Sequence, residues 1–417
     1  MIHKKPTIIG ITGTKGKTTV SNILNNLLQE KKTDVLLVDT EGVYVNNQQK
    51  ESFNDSWHVS NLVPTVCPGR FLYHLQASSR STAILELSIG SSNLPGMGYR
   101  DHAIGVFLNV FEDHIGVRVK SRKDLALHKA RMIFKRISKH GYAVFNADDK
   151  YITKNLTLVN TKKEITLVPF GIRLDQFDHQ QHTKQGGIYI TVQDNWIVAR
   201  DKKNTEKLID VTKVLWTFDG NYQPSIYNLL AIISTLYAHR GMKKPSRAML
   251  KKITETAIPE EKARLLRLKN TKKKYDIIVD YAHEKYSIIE ISKLAKMLST
   301  GKTIGLVRFS HDRTDAQLMD YARAIANTFD IIIVYNRAIQ FSKKKPLQAG
   351  LDKVQHAADL VFKEIQKNIK KPRIVERAQD ERSAIQMASK LVAQGDVIVH
   401  ISNKHDHSIM LVKKYLL

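Results

Sequence analysis

The sequence predicts an α/β protein in two parts: a P-loop ATPase-type domain with a mostly parallel sheet over residues 1–257, and a C-terminal doubly wound, Rossmann-like domain over residues 258–417. Three observations carry this reading. Short apolar runs of strand length alternate with runs of helical period along the whole chain, as a parallel sheet with crossover helices requires. A glycine-containing turn joins the first strand to the first helix. The segment Ile258-Pro259-Glu260-Glu261 then interrupts the pattern near the middle, where proline stops the preceding helix and marks a linker.

Taken in order, Thr7–Thr12 is a short apolar strand, and Thr18–Gln29 sets Val20, Ile23, Leu24, Leu27 and Leu28 at helical spacing. Strands are expected at Val35–Val38, Ala83–Leu87, Ile104–Val110 and Ala143–Asn146, with a helix over Leu125–Ser138. Gly186–Ala199 has the pattern of an antiparallel hairpin on the same sheet, and helices over Ser225–His239 and Ser246–Thr256 complete the first domain. In the second, strands at Asp276–Asp280, Thr303–Val307, Ile331–Tyr335, Arg373–Val375 and Val397–Ile401 alternate with helices at Ser287–Leu298, Ala316–Thr328, Lys353–Lys367 and Glu381–Ala393. That alternation is the doubly wound pattern. There is no internal repeat and no low-complexity segment.

Composition narrows the class. A chain of 417 residues excludes a single small module, and the apolar fraction of 42% with 25% charged residues is that of a globular protein. No apolar run approaches the ~18 residues of a membrane span, and the N-terminal apolar run lacks a cleavage site, so a cytoplasmic location without a signal peptide is expected. The one cysteine, Cys67, excludes an internal disulfide framework or a cysteine-rich zinc site and fits a reducing compartment. The formal net charge of +26 is the outlier: a field that large attracts polyanions, but a generally basic surface is the favoured reading over a functional preference for an anionic partner. The runs Lys272–Lys274, Lys343–Lys345 and Lys370–Lys371 lie between periodic segments, as solvated loops do. They carry no interleaved aromatics, and no nucleic-acid module is recognisable, which disfavours nucleic acid as the partner.

The turn after the first strand is Gly13-Thr14-Lys15-Gly16-Lys17-Thr18-Thr19. At a strand-to-helix junction its backbone N–H groups and the helix N-terminus can cradle phosphates. Lys17 is placed to reach the β- and γ-phosphates of ATP and the Thr18 hydroxyl to bind Mg²⁺. Ile11 occupies the first glycine position of the longer Walker pattern, so the loop is the shorter GTxGKT form.

This loop, with four further segments in order, resembles the Mur ligase superfamily. Those segments are Asn109-Val-Phe-Glu-Asp113-His114-Ile-Gly116, His128-Lys129-Ala-Arg with Gly141 through Asp149, Asp280-Tyr281-Ala282-His283, and His311-Asp312-Arg313-Thr314-Asp315. Thr40-Glu41-Gly42-Val43-Tyr44 and Asp124-Leu125-Ala126 with Lys129 resemble most the Mur-like part of cyanophycin synthetase. The resemblance implies an ATP-dependent ligase that activates a carboxylate as an acyl phosphate and joins it to an amine. It implies Mg²⁺ on Thr18 and Glu86, a second ion between Glu86 and His114, and Lys129 at the position of a carbamylated lysine that helps hold it. Asn228 falls at a nucleotide-contacting asparagine, Arg264 at an arginine that reaches the phosphates, and His283 and Asp312 at positions that approach the ribose. Pro224-Ser225 replaces one pair of the nucleotide-contact motif, and Glu86-Leu-Ser-Ile-Gly-Ser-Ser-Asn-Leu replaces an arginine-containing substrate segment.

The phosphate loop begins close to residue 10, which is expected to leave no space for a UDP-sugar domain or an ATP-grasp half before it. An acidic peptide or polymer as carboxylate donor, with an amino acid as amine, suits the charge. A non-ligating ATPase, or a scaffold for a partner chain, is the alternative; a homo-oligomer or a partner ligase chain both stay open.

Overall fold

The computed structural model describes residues 6–29, 33–52, 64–75, 81–92, 96–112, 115, 119–256, 265–282, 285–309, 313–336, 348–370, 373–402 and 405–417. The chain forms two compact units, Met1–Ala257 and Ile258–Leu417.

The first unit runs β1 (Thr7–Thr12), α1 (Lys17–Leu28), β2 (Val35–Val38), β3 (Gly42–Val45), β4 (Gln48–Ser52), β5 (Thr82–Glu86), β6 (His102–Phe107), α2 (Arg122–Ile133), β7 (Ile137–Asn146), α3 (Lys150–Thr153), β8 (Thr166–Phe170), α4 (His179–Lys184), β9 (Tyr189–Gln193), β10 (Trp196–Arg200), β11 (Thr205–Asp210), α5 (Gln223–His239) and α6 (Arg247–Glu255). One eleven-stranded sheet has the order β11-β10-β9-β8-β7-β6-β1-β5-β2-β3-β4. Strands β2, β5, β1, β6, β7, β8 and β9 are parallel, and an antiparallel ribbon extends each edge. α1, α5 and α6 pack together on one face and α2 covers the other. A strand covered on both faces needs a continuous apolar run: the fully buried Ile9 and Ile11 of β1 face one side, and Ile8 and Gly10 the other.

The register decides where the site lies. Ile11 pairs with Glu86 and Thr12 with Phe107, so the turn after β1 emerges level with the ends of β5 and β6.

Several element readings change. The helix expected over Leu125–Ser138 is α2: Ser121 caps it by accepting from Asp124 N, and it gives way to a 3₁₀ turn at Phe134–Arg136 because β7 begins at Ile137. β6 ends at Phe107 rather than Val110, since Leu108–Val110 turn into the site. The expected hairpin is β9–β10, closed by Asp194 and Asn195, both with positive φ. Asn46 and Asn47 close β3–β4 in the same way. β4 (QQKES) and β11 (TEKLID) are edge strands that escape periodicity, β4 because it is polar throughout and β11 because its buried Leu208 and Ile209 are adjacent rather than alternating.

The second unit runs β12 (Leu266–Asn270), β13 (Tyr275–Asp280), α7 (Lys285–Leu298), β14 (Thr303–Val307), α8 (Asp315–Ile325), β15 (Ile331–Tyr335), α9 (Gln348–Lys367), β16 (Ile374–Ala378), α10 (Glu381–Leu391), β17 (Val397–Ile401) and α11 (His405–Leu416). Its sheet order is β12-β13-β17-β14-β15-β16, parallel apart from the antiparallel edge strand β12. α7 carries the chain from β13 past β17 to β14. α7 and α8 pack together, α8 packs on α9, and α10 pairs with α11. Beneath α10 and α11, buried His400 meets Glu381 at 2.9 Å and Ser408 donates to the same carboxylate, which pins both helices to the sheet.

Candidate nucleotide and ligation site

The residues 13–19 turn lies at the C-terminal edge of the first sheet, between β1 and α1. Gly16 caps α1 with φ +83°, a left-handed conformation that glycine adopts without strain. A Cβ there would also come within 2.2 Å of Asn228 Oδ1, so the asparagine of α5 is packed directly on the loop. Gly13 is equally close-fitting, with Leu108 Cβ 2.9 Å from where its own Cβ would stand.

Asn109, just past β6, holds the loop open. Its Oδ1 accepts from Thr14 N (3.1 Å) and Lys15 N (2.9 Å), and its Nδ2 donates to Lys15 O (3.0 Å). Thr14 Oγ1 accepts from Phe111 N at 3.0 Å. Lys17 Nζ donates to the carbonyls of Gly13 (3.0 Å) and Thr14 (3.3 Å). From the opposite face, Lys129 of α2 is carried inward to 4% exposure, and its Nζ donates to Gly13 O at 3.0 Å, with Thr12 Oγ1 at 3.5 Å. Two lysines therefore converge on one carbonyl at the base of the loop.

Thr18 Oγ1 donates to Glu86 Oε2 at 3.1 Å, and Glu86, the last residue of β5, is 1% exposed. A buried carboxylate and a hydroxyl at a helix N-terminus are hard oxygen donors of the kind Mg²⁺ takes, so these two residues fit such an ion. Beyond Glu86, Ser88 and Ser91 are tied to the carbonyl of Thr65, which anchors the segment around Cys67 to this edge. Cys67 is 8% exposed and lies against Gly98, where a Cβ would be 2.8 Å from its Sγ.

On the side of β7, Asp148 accepts from Ile172 N (2.7 Å), Arg173 N (3.1 Å), Leu174 N and Tyr227 Oη (2.7 Å). It thus joins the turn after β8 to α5 one residue before Asn228. Asp149 accepts from Val110 N (2.7 Å) and Tyr151 N (2.9 Å), while burial holds its carboxyl above the ordinary range.

Of the residues singled out from the sequence, Gly13, Thr14, Lys15, Gly16, Lys17, Thr18, Thr19, Glu86, Lys129 and Asn228 are described, and the contacts above draw together all of these except Thr19, which lies in the first turn of α1. His114, Arg264, His283 and Asp312 lie outside the described residues. Among the described residues no cluster of three histidine, cysteine or acidic side chains could hold a metal. Sequence reasoning gave no role to Asn109, Asp148 or Tyr227. For Asn109 there was a signal, a polar side chain just beyond a buried central strand. Tyr227 carried none, because its partner is remote in sequence.

The chain matches the Mur ligase middle domain over residues 11–221. It is 24% identical over 412 residues to the cyanophycin synthetase of a Nostoc species, covering 97% of this chain and 42% of that protein, so it spans about two fifths of such a relative. It is 22% identical to the UDP-N-acetylmuramoyl-L-alanyl-D-glutamate–2,6-diaminopimelate ligase of Clostridioides difficile, covering 99% of this chain and 76% of that one. Escherichia coli FolC, solved with DHPP and ADP, has the same fold, with a TM-score of 0.64 at 15% identity over 99% of this chain and 89% of that chain. No helix among the described residues is long and apolar enough to cross a membrane. With the middle-domain match extending over half of its length, the chain belongs to the Mur ligase family.

Proposed function

We propose that this chain is an ATP-dependent carboxylate–amine ligase that forms ADP, with an acidic peptide or polymer as carboxylate donor and an amino acid as amine. The observation that carries it is the arrangement of Lys17, Thr18 and buried Glu86 around one strand-to-helix turn. The turn's N–H groups and the N-terminus of α1 receive the phosphates, and Lys17 exchanges its carbonyl partners for phosphate oxygens. Thr18 and Glu86 would hold Mg²⁺, which neutralises phosphate charge when bound. A substrate carboxylate oxygen attacks the γ-phosphorus as the bond to ADP breaks, giving an acyl phosphate. The amine nitrogen then attacks the acyl carbon, phosphate leaves with the bonding pair, and the nitrogen loses a proton. Asn228, packed on Gly16, is the nucleotide-side contact. Roles for His114 at a second metal, Arg264 at the phosphates and His283 and Asp312 at the ribose remain part of the proposal.

Lys129 enters this reading as an ammonium or as a carbamate. Its Nζ lies at hydrogen-bond distance from Gly13 O and Thr12 Oγ1, and both forms keep an N–H that can donate to Gly13 O. Protein equilibrated with ¹³C-bicarbonate decides between them: a carbamate carbon resonance lost in Lys129→Arg would establish the carbamylated form, and no resonance the ammonium.

The ligase reading is tested by incubating the protein with ATP, Mg²⁺ and acidic peptides crossed with amino acids, following phosphate release and product mass together. Matched release and mass gain, both absent in Lys17→Ala, are expected. Phosphate release without a new mass across the panel would favour a non-ligating ATPase; nucleotide binding with no turnover would favour a scaffold.

A further inference from the structure

β7 ends in Asn146-Ala147-Asp148-Asp149, a turn that the reaction above leaves without a role. Its polar side chains nevertheless reach three segments around the phosphate loop. Asn146 is buried; its Nδ2 donates to Leu108 O at 3.0 Å, and its Oδ1 accepts from Asp148 N at 3.0 Å, which ties the turn to itself. Asp149 Oδ2 accepts from Val110 N at 2.7 Å. Leu108 and Val110 flank Asn109, so the turn holds the chain on either side of the asparagine whose amide grips Thr14 and Lys15.

Asp148 serves a different pair of segments. Its carboxylate accepts from the successive N–H groups of Ile172, Arg173 and Leu174, and Leu174 takes φ +58°, costly for a side chain of its size, while presenting the third. A Cβ on Gly171 would stand 2.8 Å from Asp148 Oδ1, so a side chain at 171 would collide with the carboxylate. Three backbone donors thus fix the carboxylate in place. The fourth donor is Tyr227 Oη, at 2.7 Å.

Tyr227 precedes Asn228 on α5. Successive helical residues point about 100° apart, so a hydroxyl held at position 227 sets the rotation of α5 about its axis, and with it the bearing of Asn228 on Gly16. Asn228 depends on such a hold. Among the described residues its side-chain amide has no hydrogen-bond partner, which leaves the amide for a ligand and its placement to the helix that carries it.

We propose that Asp148 is a positioning residue of the nucleotide site, acting through Tyr227 on Asn228, while Asn146 and Asp149 set Asn109 from the same turn. The inference rests on the ligase reading above, in which Asn228 contacts the nucleotide. One turn thereby fixes, relative to each other, the two asparagines that meet the loop at Thr14–Lys15 and at Gly16.

The test is a double-mutant cycle on the full chain, read as the Kd for ADP with Mg²⁺ by titration calorimetry. Asp148→Ala would release the 171–174 turn as well, so Tyr227→Phe is the cleaner probe: it deletes one hydroxyl and leaves Asp148 its three backbone donors. Melting curves establish that each variant is folded. Tyr227→Phe is expected to weaken ADP binding at least fivefold in the wild-type background and less than twofold in Asn228→Ala, where no amide is left to place. Asn228→Ala retains measurable binding because the N–H groups of the loop are untouched. In Asn109→Ala, on the other arm of the turn, Tyr227→Phe should again cost at least fivefold. Equal losses in the wild-type and Asn228→Ala backgrounds, or none in either, would overturn the positioning role and leave the ligase reading standing. A loss that vanishes in Asn109→Ala as well would indicate general loosening of the site and overturn the route through Asn228. Wild type that binds no ADP would sink the ligase reading, and this role with it.

Discussion

Asn109 and His102 show how single side chains set the site and its tolerance of pH. Asn109 makes three hydrogen bonds to the phosphate loop. At about 1 kcal/mol net each, Asn109→Ala should cost about 2–3 kcal/mol, appearing as a lower melting temperature and weaker ATP binding by titration calorimetry. His102, the first residue of β6, is fully buried; its Nε2–H donates to Ile133 O at 3.0 Å, and Tyr99 Oη lies 3.3 Å from Nδ1. Burial pulls its pKa down to about 4 from 6.5. Above pH 6.5 the ring is neutral folded or unfolded. As pH falls from 6.5 to about 4 only the unfolded chain takes up the proton, so stability drops across that window by about 3 kcal/mol and levels off below it. Denaturant titrations at pH 7 and pH 4.5 should show this loss in wild type and a loss smaller by one proton's slope in His102→Gln. At this scale the sequence was legible where structure is local: residues 13–19 are contiguous, and they form the expected turn between β1 and α1. Asn109 and Asp148 stood out as motif residues, but what each holds did not, because their partners lie 95 and 79 residues away.

At the scale of elements, α1, α2 and α5 each bring one residue to the loop: Lys17, Lys129 and Asn228. The seat of α5 is set by Gly16, so Gly16→Ala should displace Asn228 and strain a residue at φ +83° by about 1–2 kcal/mol. A fluorescent-nucleotide titration is expected to show at least a tenfold loss of affinity with only a small fall in melting temperature; unchanged affinity would mean Asn228 does not face the nucleotide. Buried strands such as Thr303–Val307 and Ile331–Tyr335 were readable to the residue, because parallel strands covered on both faces are apolar throughout. The start of α2 was misplaced although Ser121 and Asp124 carry a capping signal, since Arg122 and Lys123 interrupt the apolar spacing. β12, with its weak alternation, was missed altogether.

The molecule as a whole consists of two units, each with its own apolar core. Expressed separately, residues 6–256 are expected to fold and bind nucleotide, and residues 265–417 to fold without binding it, as judged by circular dichroism and calorimetry. A first unit that unfolds alone would mean its sheet depends on the second. Alternation of strands and helices made the α/β class legible, but not the neighbours of β1. Their order is set by which helix covers which face, and that is decided by packing between segments far apart in sequence.

Cys67, packed against Gly98 in the segment anchored through Thr65 to the end of β5, is the chain's sole thiol. A chain with one shielded sulfur carries its own clock. The rate at which a thiol reagent reaches it under native conditions measures how often the wall beside Glu86 breathes, and a ligand that settles there would slow that clock without any label having been engineered.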